Sequence, residues 1–235
     1  MAIDTSEARG SVAVLGEGGV RAVEAHTDRS DYSEWLIAAV DRVLSMAGVA
    51  RGGVDLYAVA TGPGSFTGVR VGLTTVKAWC EVYGKPVVGV SRLEALARSR
   101  KPRTGIVVAY YDAQRGQVFA ALYRSGPDGL VRIGDEMVIA PADLLEIAGK
   151  EAGNGPIHWV TLDPEVVSAQ ERWAERTKRG DEIEQCSAEL AGEIGRVGAE
   201  RAGRGEYSDP LELDANYVRR SDAEIFWKGP AAHVR

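Results

Sequence analysis

The segment Thr61-Gly62-Pro63-Gly64-Ser65-Phe66-Thr67-Gly68-Val69-Arg70 joins a predicted strand to a predicted helix. In that position backbone N–H groups and a helix N-terminus can hold a phosphate. A Walker loop needs Lys followed by Ser or Thr after its last glycine, but Val69-Arg70 follows Gly68, and Thr67 fills the third glycine position of the dinucleotide fingerprint. Two readings stay open. One is a rigid turn whose glycines permit positive φ and whose Pro63 fixes the backbone ahead of it; the other is an anion site formed by the loop amides and Arg70. Asp4-Thr5-Ser6, at the end of the first predicted strand, adds a residual phosphate or metal site, although no glycine follows it to let a nucleotide phosphate approach.

The remaining chemistry-bearing residues are dispersed. His26, His158 and His233 lack the close spacing of zinc ligands and read as surface or turn histidines, so no metal site is expected. Ser65 lacks the Gly-x-Ser-x-Gly spacing of a nucleophile elbow. Cys80 lies in an apolar helical pattern and Cys186 in a charged stretch, which supports neither a disulfide framework nor redox chemistry. Asp112 falls in a hairpin turn, where local hydrogen bonding is as good an account as catalysis. The basic run Arg98-Ser99-Arg100-Lys101-Pro102-Arg103 reads as a solvated linker that could touch a phosphate backbone.

These residues must be positioned by alternating elements. Strands are predicted over residues 1–5, 11–15 and 20–25, with Glu17-Gly18-Gly19 as a hairpin turn. A helix follows from a capping box of Asp31 and Glu34 to a stop at Gly48. Strand 56–61, the glycine-rich loop, helix 68–83, strand 86–90 and helix 93–99 complete a first unit over residues 1–100. Its later strands should be parallel. A second unit, residues 101–235, opens with a hairpin over 106–111 and 117–123 and a strand over 130–139. Helices are expected over 141–150, 164–179 and 188–204, then an extended tail over 211–220. The fold class is α/β in two lobes.

With 235 residues, 45% hydrophobic and 26% charged, the chain has the composition of a globular protein, and no stretch approaches a membrane helix or a signal peptide. The cytoplasm is the expected compartment. The net charge is −6; residues 1–100 balance 11 basic against 11 acidic side chains, so the whole deficit lies in the remainder. A chain that grips nucleic acid alone usually has the opposite sign. Both first-unit helices carry more apolar surface than a surface helix needs: at 100° per residue, Leu36, Ile37, Val40, Val43, Leu44 and Ala47, widened by Trp35, Ala39 and Met46, spread over roughly 200°, against about 100° for one core-facing stripe. Helix 68–83 repeats this with two stripes, Val69, Leu73, Val76, Cys80 and Tyr83, and then Val71, Ala78 and Val82. Either the helices are sandwiched, or they form a protein-binding face.

Three segments carry a resemblance. Ala2-Ile3-Asp4-Thr5-Ser6, Gly62-Pro63-Gly64-Ser65-Phe66-Thr67-Gly68-Val69-Arg70-Val71-Gly72 and Pro86-Val87-Val88-Gly89-Val90-Ser91-Arg92-Leu93-Glu94-Ala95-Leu96-Ala97 together resemble the bacterial TsaB (YeaZ-like) family of tRNA threonylcarbamoyladenosine biosynthesis proteins. Asp112-Ala113-Gln114-Arg115-Gly116 and residues 217–224 are similar to its later landmarks. The resemblance implies a two-lobed actin/sugar-kinase/Hsp70-like (ASKHA), Gcp-like fold that lacks the active site of the TsaD transferase paralogue. That paralogue has histidine metal ligands on the helix where this chain has Tyr32, Ser33, Glu34 and Trp35.

It further implies a scaffold or activator that pairs with the TsaD-type paralogue and works with a TsaE-type ATPase. Their complex transfers threonylcarbamoyl from its adenylate to the adenosine beside the anticodon of tRNAs reading codons that begin with A. ATP and metal would sit on the partners, none on this chain alone, and tRNA would be reached through the complex. The implied interface is Trp35, Leu36, Ala39, Val43 and Met46 with Val71, Thr75, Ala78 and Val82, which can also make a homodimer. Gln114 and Tyr32 depart from the family pattern, which commonly has arginine and histidine there. The alternatives are a small ASKHA-type phosphotransferase or ATPase using Asp4 and the loop, and a glycoprotease-like peptidase.

Overall fold

The computed structural model, which describes residues 1–27, 31–100, 104–127 and 129–219, builds two five-stranded sheets by the same path. In the first, β1 (Ala2–Asp4), β2 (Ser11–Gly16) and β3 (Gly19–Ala25) form an antiparallel meander; α1 (Tyr32–Ala47) leads to β4 (Tyr57–Ala60), parallel to β1, and α2 (Phe66–Tyr83) leads to β5 (Val87–Val90), parallel to β4. The order is β3-β2-β1-β4-β5, followed by α3 (Arg92–Arg98). The second repeats it with β6 (Gly105–Asp112), β7 (Val118–Gly126), β8 (Gly129–Ile139), α4 (Pro141–Ala152), β9 (Ile157–Thr161), the short α5 (Glu165–Ser168) and α6 (Trp173–Thr177), β10 (Glu182–Gln185) and α7 (Ala191–Gly203). Its order, β8-β7-β6-β9-β10, matches the first strand for strand.

Three cores bind five layers, the middle one enclosing the inner helices. Ile3, Val12 and Val59 on the outer face of the first sheet pack against Leu36, Val40 and Val43 of α1 and Leu73 and Val76 of α2. Val108, Leu122 and Trp159 on the outer face of the second pack against Leu144 and Leu145 of α4. Between the sheets lie α3 and α7, which contribute Leu93, Leu96, Ile194 and Val197 to a core lined by Ala2, Ala13 and Ala58 of the first sheet and by Ala109, Ala121, Tyr111, Phe119 and Tyr123 of the second. The helix after the fifth strand of each half crosses to the other: α3 packs on β6, β7 and β9, and α7 on β1, β2, β4 and β5. Close approach is built in, since a Cβ at Gly198 would lie 2.6 Å from Ala58 Cβ.

Several expectations are corrected. The helix near the C-terminus, grouped with residues 101–235, belongs to the packing of the first sheet. The helix expected over 164–179 is two short turns, which bring Trp173 edge-on to Trp159 at 5.9 Å and let Arg176 reach Asp181. Strands β9 and β10 went unpredicted. β9 is a buried five-residue run interrupted by His158, and β10 is a charged edge strand. Asp31 is the N-cap of α1 by backbone only, without a side-chain cap. The segment after α7 straps the halves together: Ser208 N donates to Val87 O at 2.8 Å, Asn216 N to Thr61 O at 2.7 Å, and Arg219 Nη1 to Ala113 O at 2.8 Å. His233 and residues 220–224 lie outside the described residues, as do residues 101–103.

Candidate functional site

The glycine-rich loop leaves β4 and starts α2 two residues earlier than predicted, because Ser65 acts as the N-cap and its Oγ accepts from Gly68 N at 3.3 Å. The loop is seated on the end of β1, while Gly64, Ser65 and Phe66 also border a cavity of about 580 Å³ shared with Arg9 and Arg219. Ser65 N donates to Ser6 O at 2.6 Å, and Thr5 Oγ1 donates to Gly68 O at 2.7 Å. A Cβ at Gly64 would lie 2.0 Å from Ser6 O, and one at Gly68 2.1 Å from Thr5 O. The glycines of Gly62-Pro63-Gly64-Ser65-Phe66-Thr67-Gly68 thus let the loop close on the end of β1, and close packing accounts for Gly64 and Gly68 as the rigid-turn reading expects. Arg70 does not turn inward. Its guanidinium lies 3.7 Å from the Phe66 ring centroid and its Nε donates to Tyr217 at 2.7 Å.

Asp4 is not available as a ligand either. Its Oδ2 accepts from Arg92 Nε at 2.9 Å and its Oδ1 from Ser6 N at 2.9 Å, and the side chains of both Asp4 and Arg92 are 0% exposed. Arg92 Nη2 is 3.4 Å from Glu7 Oε2, and its guanidinium sits 4.7 Å from the Tyr111 ring centroid. The Tyr111 hydroxyl donates to Pro63 O at 2.7 Å, tying the second sheet to the loop. Burial pushes the Glu7 carboxyl above its usual range, opposed by Arg92 and Arg9. Tyr32 fills the position of the implied histidine. Its hydroxyl accepts from Gly10 N at 2.7 Å and donates to Glu7 O, and burial raises its pKa. Asp4, Thr5 and Ser6 therefore form a buried ion pair and turn in which Ser6 Oγ and Arg92 Nη1 are left without a hydrogen-bond partner among the described residues, and Asp4, committed to Arg92, does not fit the cation of a nucleotide phosphate.

Arg92 was missed by sequence reasoning. The available signal was an arginine opening a helix that is apolar or small apart from Glu94, Arg-Leu-Glu-Ala-Leu-Ala, in which Leu93, Ala95, Leu96 and Ala97 are all buried.

The two-helix face is divided. Trp35, Leu36, Ala39 and Val43 are buried within the chain's own core and cannot be the accessible interface assigned to them, because α1 packs against β2, β3 and α2 at once. Met46, Ala78 and Val82 are exposed and Val71 and Thr75 half-buried. A groove of about 540 Å³ runs between α1 and α2, lined by Ile37, Phe66, Val71 and Thr75 among others.

Other singled-out groups resolve locally. Asp112 Oδ1 and Oδ2 accept from Gln114 N at 2.8 Å and Gln114 Nε2 at 2.9 Å, in a turn where Gln114 and Arg115 both have positive φ. Arg98 pairs with Glu94 and Glu200, and Arg100 with Glu184. His26 and His158 are buried, against expectation: His26 Nδ1 is 2.8 Å from Ala8 O, and His158 Nε2 is 3.1 Å from Glu184 Oε2. Cys80 and Cys186 are buried and unbonded to each other. Among the described residues, no group of three or more His, Cys, Asp and Glu could hold a metal ion, and no helix is long and apolar enough to cross a membrane.

Twin mixed sheets with exchanged helices and a cleft between them define a two-lobed α/β protein of the ASKHA class. The fold is shared with YeaZ from Pseudomonas aeruginosa (TM-score 0.70, 24% identity, covering 92% of this chain and 97% of that one). It is also shared with the ethanolamine utilization protein EutJ from Carboxydothermus hydrogenoformans (TM-score 0.51, 14% identity, 82% and 86%). The family model for TsaD, tRNA N6-adenosine threonylcarbamoyltransferase, matches residues 17–165. The tRNA threonylcarbamoyladenosine biosynthesis protein TsaB of Bacillus subtilis is 28% identical over 97% of this chain and 96% of its own length, and that of Escherichia coli 30% identical over 69% of each. The chain belongs to this family and, in particular, to the TsaB (YeaZ-like) group of tRNA threonylcarbamoyladenosine biosynthesis proteins.

Proposed function

We propose that this chain is a non-catalytic subunit that holds and activates a TsaD-type transferase, acting in the cytoplasm in the addition of threonylcarbamoyl to the adenosine beside the anticodon. The observation that carries this reading is the buried Arg92–Asp4 pair. It places a guanidinium where a phosphotransferase of this fold would need an open carboxylate, and the loop glycines are used up in contact with Thr5 and Ser6. Support for a partner face comes from Met46, Ala78 and Val82, exposed on α1 and α2, and from the groove between those helices. A TsaE-type ATPase would join through the same complex, and a second copy of the chain would use the face when the transferase is missing. ATP and metal would be held by those partners.

The test is capture of a TsaD-type transferase from the same host by the tagged chain, with threonylcarbamoyladenosine measured in extracts depleted of it. The expected result is stable capture, loss of modification on depletion and no modified adenosine from the chain alone. Undiminished modification without the chain would refute the reading. Calorimetric heat with Mg-ATP for the isolated chain would favour a phosphotransferase or ATPase instead.

A further inference from the structure

A second concave site lies on the opposite side of the molecule, between α4 and α6, with a volume of about 240 Å³. At ~30 Å³ per water molecule this is room for about eight waters, ample for a phosphate group. One of its lining residues, Arg176, is 6% exposed and rigidly held. Its Nε and Nη2 each donate to Asp181 at 2.8 Å, and Nη2 also donates to Gly155 O at 3.3 Å. Asp181 is itself fixed by Trp159 Nε1 at 2.8 Å and Ile157 N at 3.0 Å. The third terminal nitrogen, Nη1, has no hydrogen-bond partner among the described residues. Gly149 stands over it: a Cβ there would come within 3.5 Å of Nη1. A buried, oriented guanidinium with a free N–H beside a glycine is a donor aimed into the cavity.

The rim carries further positive charge. Lys150 Nζ and Arg172 Nη1 share a single carboxylate, that of Glu146, at 2.7 and 3.3 Å, and Arg179 Nη1 reaches only a backbone carbonyl, Gly153 O, at 3.3 Å. Four cations therefore face three carboxylates, Glu146, Glu175 and the Asp181 that pairs with Arg176, an excess of one positive charge in a chain whose net charge is −6. We infer that this pocket is a phosphate-binding site for the backbone of RNA. A free phosphate dianion would call for several fixed donors, whereas here one donor is fixed and the others ride on stems 64% and 74% exposed at Arg172 and Lys150. One locked donor flanked by mobile cations suits a chain of successive phosphodiesters. The inference rests on the reading that the chain works in tRNA modification, and it places RNA contact on this subunit as well as on its partner.

The test measures binding of an unmodified tRNA transcript to the full chain, alone at low salt and together with the TsaD-type transferase, for wild type, K150Q/R172Q/R179Q and G149A. The triple variant should lose at least ~10-fold in affinity, and the slope of log K against log salt should fall by ~2, at about 0.7–0.9 per neutralised phosphate. G149A, whose methyl would rest in ordinary contact with Nη1 and screen it from the cavity while favouring the helix, should weaken binding without lowering thermal stability. Transferase capture by the triple variant should be unchanged, so failure of the partner reading shows as lost capture and failure of this inference as an unchanged tRNA slope. Equal affinity and slope in all three proteins would overturn it. So would inorganic phosphate competing as effectively as tRNA per phosphate, which would mark a free-ion site.

Discussion

Replacing Arg92 by Met tests whether the buried ion pair has taken over the catalytic position. Arg92 and Asp4 are both fully buried, and the substitution removes the 2.9 Å bond to Asp4 and the contact with the Tyr111 ring while leaving the carboxylate in place. Breaking a buried pair from one side costs about 3–5 kcal/mol, because the remaining charge is left without compensation. In a chain of this length, that lowers the melting midpoint by about 6–20 °C. Adding Asp4→Asn removes the unpaired charge but keeps an oxygen to accept from Ser6 N, so the double variant should recover about 2–3 kcal/mol relative to additivity. Urea unfolding followed by tryptophan fluorescence at neutral pH reads both effects. A gap below ~1 kcal/mol or a strictly additive double variant would refute the reasoning.

Charging the outer helix face should separate binding from folding: Met46→Glu and Val82→Glu, at positions 69% and 72% exposed, should change stability by no more than about 0.5 kcal/mol yet lower transferase capture at least ~10-fold. Leu36→Glu, in the core, should instead prevent folding, as circular dichroism would show. Gly68→Ala forces a methyl against Thr5 O and should cost about 1–3 kcal/mol, measured by calorimetry; an unchanged melting curve would mean that the loop is not tightly seated on β1. Glu136 accepts from Ser91 and Asn216, and burial pushes its carboxyl above the usual value. The stability it contributes is present in acid and lost as the pH rises through its folded pKa. Glu136→Gln should therefore stabilise the protein at pH 7, with the advantage disappearing below about pH 4; melting curves across this range would show the crossing.

The elements that announce themselves locally were legible: the Glu17-Gly18-Gly19 hairpin, the glycine stops at Gly48 and Gly84, and the periodicity of α1 and α2 all reappear close to their expected bounds. What depends on distant partners was not. The breadth of the α1 arc was over-read as interface because sequence alone does not show that one helix must cover β2, β3 and α2 together. Sequence alone does not show that Gly64 and Gly68 pack directly on Ser6 and Thr5. Arg92 was hidden because its meaning lies 88 residues away, at Asp4. The same limit explains the doubled topology. Its two halves repeat a path of strands and helices, but no sequence period marks it.

The exchange of α3 and α7 between the sheets also sets the order in which the molecule can be completed. The first sheet is finished in sequence by Val90, yet its inner face is covered by a helix ending at Gly203, anchored where Ala191 N donates to Ser11 Oγ across 180 residues. At roughly 5–20 residues per second of synthesis, strands made first wait about 10–40 s for that helix. During translation Ala2, Ala13 and Ala58 face outward with no cover from that helix. The small side chains on this face keep the waiting surface less adhesive than a valine- or leucine-lined sheet would be.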